Sequence, residues 1–300
     1  MIVAVTGASG FLGGHIAEVL RARGHEVRAV VRNPDKSPWL ADLGCTFARA
    51  DLAEPGALAA TFEGVDAVVA NAALAVRDDR PYAEFLAANV GGTENTLAAA
   101  AKVGVNRVVY VSSVSVHQLL NPYGHYGADT PFVVDAPLPL SLNHATTLWK
   151  YSLSKSTAEK RAWTLAADLG LALTTVRPGP IYGPRDPKLT ARYASQMARS
   201  YVLAPTARAP HVYVVDVALA IAGALENAAS SGKPYLLGGL PVSPYRLLTT
   251  WKRLVGRGPT IVPLPVPSHL SFDDEPASRD LGVVPRSIED GLRALLASAA

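Results

Sequence analysis

The chain has 300 residues, 49% of them hydrophobic and 18% charged, which suits a folded globular protein and excludes a disordered chain. Its 28 basic and 25 acidic residues give a net charge of +3. The basic residues are scattered, so no nucleic-acid or membrane-surface partner is expected. Cys45 is the one cysteine, which excludes an internal disulfide and fits a reducing compartment.

In chain order, short β-branched runs over 2–5, 27–31, 46–48, 67–70, 108–111 and 173–176 read as strands. Between them, alanine-rich segments over 13–23, 54–62, 83–103 and 150–169 read as helices. Continuously apolar strands are buried on both faces, as in a parallel sheet. Strands alternating with helices predict an α/β fold, a Rossmann-type doubly wound parallel sheet. Beyond residue 178 the pattern is less regular. Proline-rich stretches at 178–187, 204–210, 241–244 and 259–267 suggest loops, with further strands expected at 211–215 and 235–237. The domain reading is a dinucleotide-binding part over 1–178, rejoined by 211–238, and a smaller C-terminal substrate-binding lobe over most of 179–300. The N-terminus lacks the pattern of a secretory signal, and no apolar run approaches a membrane span, so a cytoplasmic protein is expected.

The first strand runs into Thr6-Gly7-Ala8-Ser9-Gly10-Phe11-Leu12-Gly13, with three glycines spaced three apart at the start of a helix. Glycine lets such a turn bend tightly and brings backbone N–H groups close to a pyrophosphate, while the helix N-terminus adds partial positive charge. A plain strand-to-helix turn is also often glycine-rich. The strand–turn–helix context favours dinucleotide binding, through Thr6, Gly7, Ser9, Gly10, Phe11, Leu12 and Gly13. The G-x-x-G-x-x-G spacing resembles the short-chain dehydrogenase/reductase superfamily.

The second strand ends Val31-Arg32-Asn33-Pro34. An acidic residue at this place binds the ribose 2′-hydroxyl of NAD. Arg32 stands there instead and suits the 2′-phosphate of NADP, so NADP(H) is the expected cofactor and NAD the alternative. Arg28 and Lys36 lie nearby, Arg28 with the look of an exposed strand residue. Asp51 and Leu52 follow the third strand. The resemblance implies contact with adenine, and the residues alone allow a helix N-cap at Asp51. Asn71, Ala72 and Ala73 follow the fourth strand and are expected to line the cofactor channel.

Tyr151 and Lys155 form a Tyr-x-x-x-Lys pattern, which places both on one face of a helix. A neighbouring ammonium is expected to lower the tyrosine pKa from about 10, making it a proton donor or acceptor for a carbonyl or alcohol. The resemblance implies that a serine at the end of the fifth strand holds the substrate oxygen. Ser113 matches best and Ser112 second, and a capping turn is the alternative role. It further implies that Val111 borders the cofactor and that Asn89 braces the active-site backbone or a water.

Arg177-Pro178-Gly179-Pro180-Ile181-Tyr182-Gly183-Pro184 resembles a segment of the extended branch, the NAD-dependent epimerase/dehydratase family, that packs by the nicotinamide. Pro178, Gly179 and Ile181 are therefore expected at the cofactor. The segments 211–218 and 280–292 match structural motifs of the same branch, so the resemblance spans nearly the whole chain. The histidines at 15, 25, 117, 125 and 144 lack tight spacing backed by carboxylates, and no metal site is expected.

Within that branch, dehydratases carry an Asp-Glu pair where this chain has Val114 and Ser115. Epimerases often show Tyr-Gly where this chain has His117 and Gln118. The expected activity is an NADP-dependent oxidoreductase passing hydride between nicotinamide and a carbonyl or secondary alcohol, its branch being ketone-reductase-like. A nucleotide-sugar 4-epimerase with tightly bound NAD and a non-catalytic NADP-binding regulatory protein remain as alternatives. Segments 119–147, 189–210 and 241–270 are expected to form an apolar substrate pocket, and helices 83–103 and 150–169 to pair in a homodimer.

Overall fold

The computed structural model describes residues 1–75, 80–117, 123–135 and 146–298. Seven parallel strands form the central sheet: β1 (Ile2–Thr6), β2 (Glu26–Val31), β3 (Thr46–Arg49), β4 (Ala67–Ala70), β5 (Arg107–Val111), β6 (Ala172–Pro178) and β7 (Pro234–Leu237). Their spatial order is β7-β6-β5-β4-β1-β2-β3. The order reverses between β1 and β4, which opens a crevice beyond their C-terminal ends.

Both faces of the sheet are apolar, because side chains alternate along each strand and helices cover both sides. Val3 and Val5 enter one core layer and Ala4 the other. On the first face α1 (Phe11–Ala22) packs against the helix Val214–Glu226. On the second, α2 (Gly92–Lys102) packs against α3 (Thr147–Leu169). Each fully buried aliphatic side chain in these layers contributes about 1.5–3 kcal/mol.

Three features depart from the sequence reading. The segment 83–103 is not one regular helix, because a π-helical turn over Leu86–Gly91 precedes α2. The strand expected at 211–215 is Ala209–Tyr213, and the chain becomes helical at Val214. That strand joins a small separate sheet with Ile181–Tyr182 and Leu240–Val242.

The proline-rich second half is also more regular than its punctuation suggests. Helices Leu189–Met197, Pro244–Val255 and Ile288–Ala297 and the strand pair Tyr201–Pro205 with Thr260–Leu264 enclose a third core. Tyr193, Leu247, Trp251 and Leu292 fill it. Pro244 sits at a helix start, where its missing N–H costs nothing. Pro205 and Pro263 lie in a two-stranded sheet, where each strand has a free edge.

Candidate active site

At two glycines of the turn no side chain fits. Gly7 has φ +68°, and a Cβ there would lie 2.9 Å from the Ala72 Cα. A Cβ on Gly13 would lie 2.1 Å from the Gly7 carbonyl oxygen. Gly10 is the N-cap of α1 and has no side chain to cap the helix with, while Ser9 and Gly10 are exposed. The first N–H groups of α1 therefore face an open turn with no acidic residue in the first helical turn. Phe11 packs edge-on against His15 with ring centres 5.8 Å apart, Leu12 packs on the core beneath, and Ala73 is exposed.

Across the crevice, the Thr6 Oγ1 accepts hydrogen bonds from the Asn71 and Ala72 backbone N–H groups at 3.0 and 3.1 Å. The Asn71 amide donates back to the Thr6 carbonyl at 3.3 Å. These bonds weld the ends of β1 and β4 together, with backbone exposed on the rim. The arrangement fits a dinucleotide pyrophosphate.

Arg32 immediately follows β2, is exposed and has no side-chain partner among the described residues. Arg28, by contrast, donates from Nη1 to the Thr61 and Glu63 carbonyls at 3.0 and 2.6 Å. It ties off the end of the helix Pro55–Phe62 and is not the exposed residue expected. Asp51 Oδ1 accepts from the Ala53 N–H at 2.9 Å in a local turn; the following helix starts at Pro55 with Glu54 as its N-cap and no side-chain cap, so Asp51 is not the N-cap allowed for it. Leu52 packs against Gly92 at the start of α2, where a Cβ would meet it at 2.8 Å.

Tyr151 and Lys155 lie one turn apart on α3, whose N-cap Thr146 accepts a bond from the Trp149 N–H at 3.3 Å. Lys155 is only 2% exposed. Its Nζ donates to the Tyr110 hydroxyl and the Val111 carbonyl, both at 2.8 Å, and lies over the Tyr110 ring. Burial pushes the Lys155 ammonium down to about 7, against the pull of Glu159. Burial raises the Tyr151 phenol, and its hydrogen bond with Ser113 opposes the rise. The lowering expected from Lys155 is absent, because the ammonium is turned onto Tyr110 and Val111.

The two serines at the end of β5 diverge. Ser113 meets Tyr151 and also caps the short helical turn Val114–Val116. Ser112 is buried and donates to Glu159 Oε2 at 2.5 Å. Asn89, 1% exposed in the π-helical turn, accepts from the Leu74 N–H at 2.7 Å. Its amide donates to the Leu74 carbonyl at 3.1 Å and to Ser154 Oγ at 2.9 Å. It joins the loop after β4 to α3.

Three residues went unnoticed in the sequence. Tyr110 is the partner of Lys155. Glu159, fully buried one turn beyond Lys155, takes a 2.6 Å ion pair from Arg177 and bonds from Ser112, Trp163 and Thr175. Burial raises its carboxyl, but the Arg177 guanidinium and those hydrogen bonds outweigh it and leave the pKa lowered. Asp274 accepts from the Gly238 and Gly239 N–H groups at 2.7 and 2.8 Å. The only sequence signal was the four-residue spacing that puts Glu159 on the face of Tyr151 and Lys155. Glycine is required at Gly179, beyond Pro178, because a Cβ would lie 2.4 Å from the Gly238 carbonyl. Ile181 starts the strand beside Val212.

The model of the NAD dependent epimerase/dehydratase family matches residues 3–238. The chain belongs to this family. A 2-alkyl-3-oxoalkanoate reductase of Stenotrophomonas maltophilia (strain K279a) is 33% identical, with both chains fully covered. Yeast methylglyoxal/isovaleraldehyde reductase Gre2, in a crystal structure with NADPH, superposes with TM-score 0.83 at 19% identity, covering 99% of this chain and 97% of its own. UDP-glucuronic acid 4-epimerase from Bacillus cereus, crystallised with NAD, gives 0.81 at 21% identity over 98% and 95% of the two chains. The protein is thus a nicotinamide-dependent enzyme of the extended short-chain dehydrogenase/reductase type. Among the described residues, no group of three or more His, Cys, Asp or Glu is placed to hold a metal, and no helix is long and apolar enough to cross a membrane.

Proposed function

We propose that this enzyme is an NADP(H)-dependent carbonyl reductase. The observation that carries the reading is buried Lys155, fastened to the Val111 carbonyl at the C-terminal end of β5, one helical turn from Tyr151 and beside the strand end that leads into Ser113. A bound nicotinamide supplies the hydride. Ser113 and Tyr151 hold the carbonyl oxygen between two hydroxyls, and Tyr151 gives it the proton. Lys155 stays anchored on Val111 and Tyr110, with its remaining N–H available to a ribose. Arg32, exposed and without a side-chain partner among the described residues, receives the 2′-phosphate and favours NADP(H) over NAD.

Residues 1–178, with 211–238, would bind the dinucleotide, and most of 179–300 would close over the substrate. The pocket segment 119–147 falls partly outside the described residues, at 119–122 and 136–145, as does His144. The apolar character of the rest favours an apolar or aromatic carbonyl compound, and the relative named a 2-alkyl-3-oxoalkanoate reductase supports that class. We place the enzyme in the cytoplasm as a homodimer through α2 and α3, which a light-scattering mass of one 31.5 kDa chain would refute. Tyr151→Phe tests the chemistry. Turnover should vanish while NADPH binding persists, and full activity in the variant refutes the assignment. Retained NAD with epimerisation of a sugar nucleotide would support the epimerase reading instead.

A further inference from the structure

Ser115 lies two residues beyond Ser113 in the turn Val114–Val116 and is half-buried. A serine oxygen has one proton to donate and two lone pairs with which to accept. The Ser113 Oγ accepts from the Ser115 N–H at 3.1 Å and from the Ser115 Oγ at 3.0 Å. A single residue thus fills both acceptor positions of Ser113. The turn that holds Ser115 is itself closed by bonds from the Val116 N–H to the Ser113 carbonyl and from the His117 N–H to the Val114 carbonyl, each 3.2 Å. Buried Val114 and Val116 anchor it on either side.

We infer that Ser115 is a positioning residue that makes Ser113 an obligatory hydrogen-bond donor. With both lone pairs taken, the Ser113 hydroxyl can only give its proton outward, to the Tyr151 oxygen or to a substrate carbonyl. Tyr151 then cannot donate into Ser113. Its own proton stays directed at the reacting oxygen, where a reduction needs it. Without the Ser115 hydroxyl, one acceptor position on Ser113 opens beside the Tyr151 phenol. The tyrosine proton gains a competing, unproductive partner.

The inference rests on the reductase reading given above, and a double-mutant cycle separates the two. Ser115→Ala should lower kcat about tenfold, the worth of one hydrogen bond, with the NADPH Kd changed by less than about twofold. In a Ser113→Ala background the same substitution should cost less than about twofold, because no acceptor remains to be blocked. Ser115→Thr, which keeps the hydroxyl, should restore kcat. An unchanged kcat in Ser115→Ala, equal losses in both backgrounds, or a Thr variant as slow as the Ala variant overturns the inference alone. Full activity in Ser113→Ala overturns the reading of the site and the inference with it.

Discussion

Lys155 Nζ lies 2.8 Å from the Tyr110 hydroxyl, so the ammonium on α3 is fastened to the adjoining sheet strand before any ligand arrives. The same Nζ donates to the Val111 carbonyl at 2.8 Å, and nearby the Thr93 Oγ1 of α2 donates to the Asn89 carbonyl at 2.7 Å. The helix α3 and the strand β5 are thereby held in register. Preorganisation of this kind lowers the cost of ordering groups when a ligand binds.

The first prediction concerns pH. The Lys155 pKa is lowered to about 7 in the folded protein from 10.5, chiefly by burial. Between these values the unfolded chain binds more protons than the folded one, so this residue makes stability rise with pH across that window. The ammonium is lost from the folded enzyme as pH rises through about 7. kcat/KM should therefore fall on the alkaline side with an apparent pKa near 7, and Lys155→Met should remove that limb along with most activity. A flat profile from pH 6 to 9 would count against a role for the charge.

His117 provides a second pH test. Burial first, then the Arg177 guanidinium, pushes it down to about 4, and its ring spans Arg177 Nη1 at 3.0 Å and the Thr130 carbonyl at 2.6 Å. The neutral ring accepts from Arg177 and donates to Thr130. Its stabilising contribution is complete above about pH 6.5 and lost as pH falls towards 4. Urea unfolding should show stability dropping through that window by at most about 3 kcal/mol, and His117→Gln should flatten the slope. Equal slopes in the two proteins would contradict the assignment.

A third prediction separates cofactor choice from chemistry. Arg32→Ala should weaken NADPH about tenfold to a hundredfold, the range of a charge-assisted contact, and leave NADH nearly unchanged. Fluorescence titration with each nucleotide reads both. Equal weakening of the two would show that Arg32 does not meet the 2′-phosphate.

Asn89→Ala should act on scaffold and rate together. It removes three side-chain bonds and leaves the Leu74 N–H and carbonyl without these partners, a loss of about 1–3 kcal/mol in chemical denaturation. kcat should fall because Ser154, which donates to the Tyr151 carbonyl at 2.8 Å, loses its brace. Unchanged stability would place Asn89 outside the framework.

The glycine turn was readable in the sequence because its demands are steric. Gly7 and Gly13 occupy positions where a Cβ collides with backbone, and glycine spacing records that directly. Tyr151 and Lys155 were readable because helical spacing fixes a common face. Tyr110 and Glu159 were not, since their partners arrive from other strands and helices. Nothing local marked Arg28 as a helix-end tie, and only the pull of Asn89 towards Leu74 accompanies the π-helical turn. The third core was hidden because proline at a helix start or in an edge strand leaves the same signature as a loop.

The most direct test of the account is NADPH consumption by purified, nucleotide-free enzyme on addition of apolar ketones and 3-oxo acids, with Tyr151→Phe alongside. The account predicts turnover with NADPH, much less with NADH, and none in the variant despite retained NADPH binding. NAD carried through purification, with no NADPH turnover on any carbonyl compound, would contradict it.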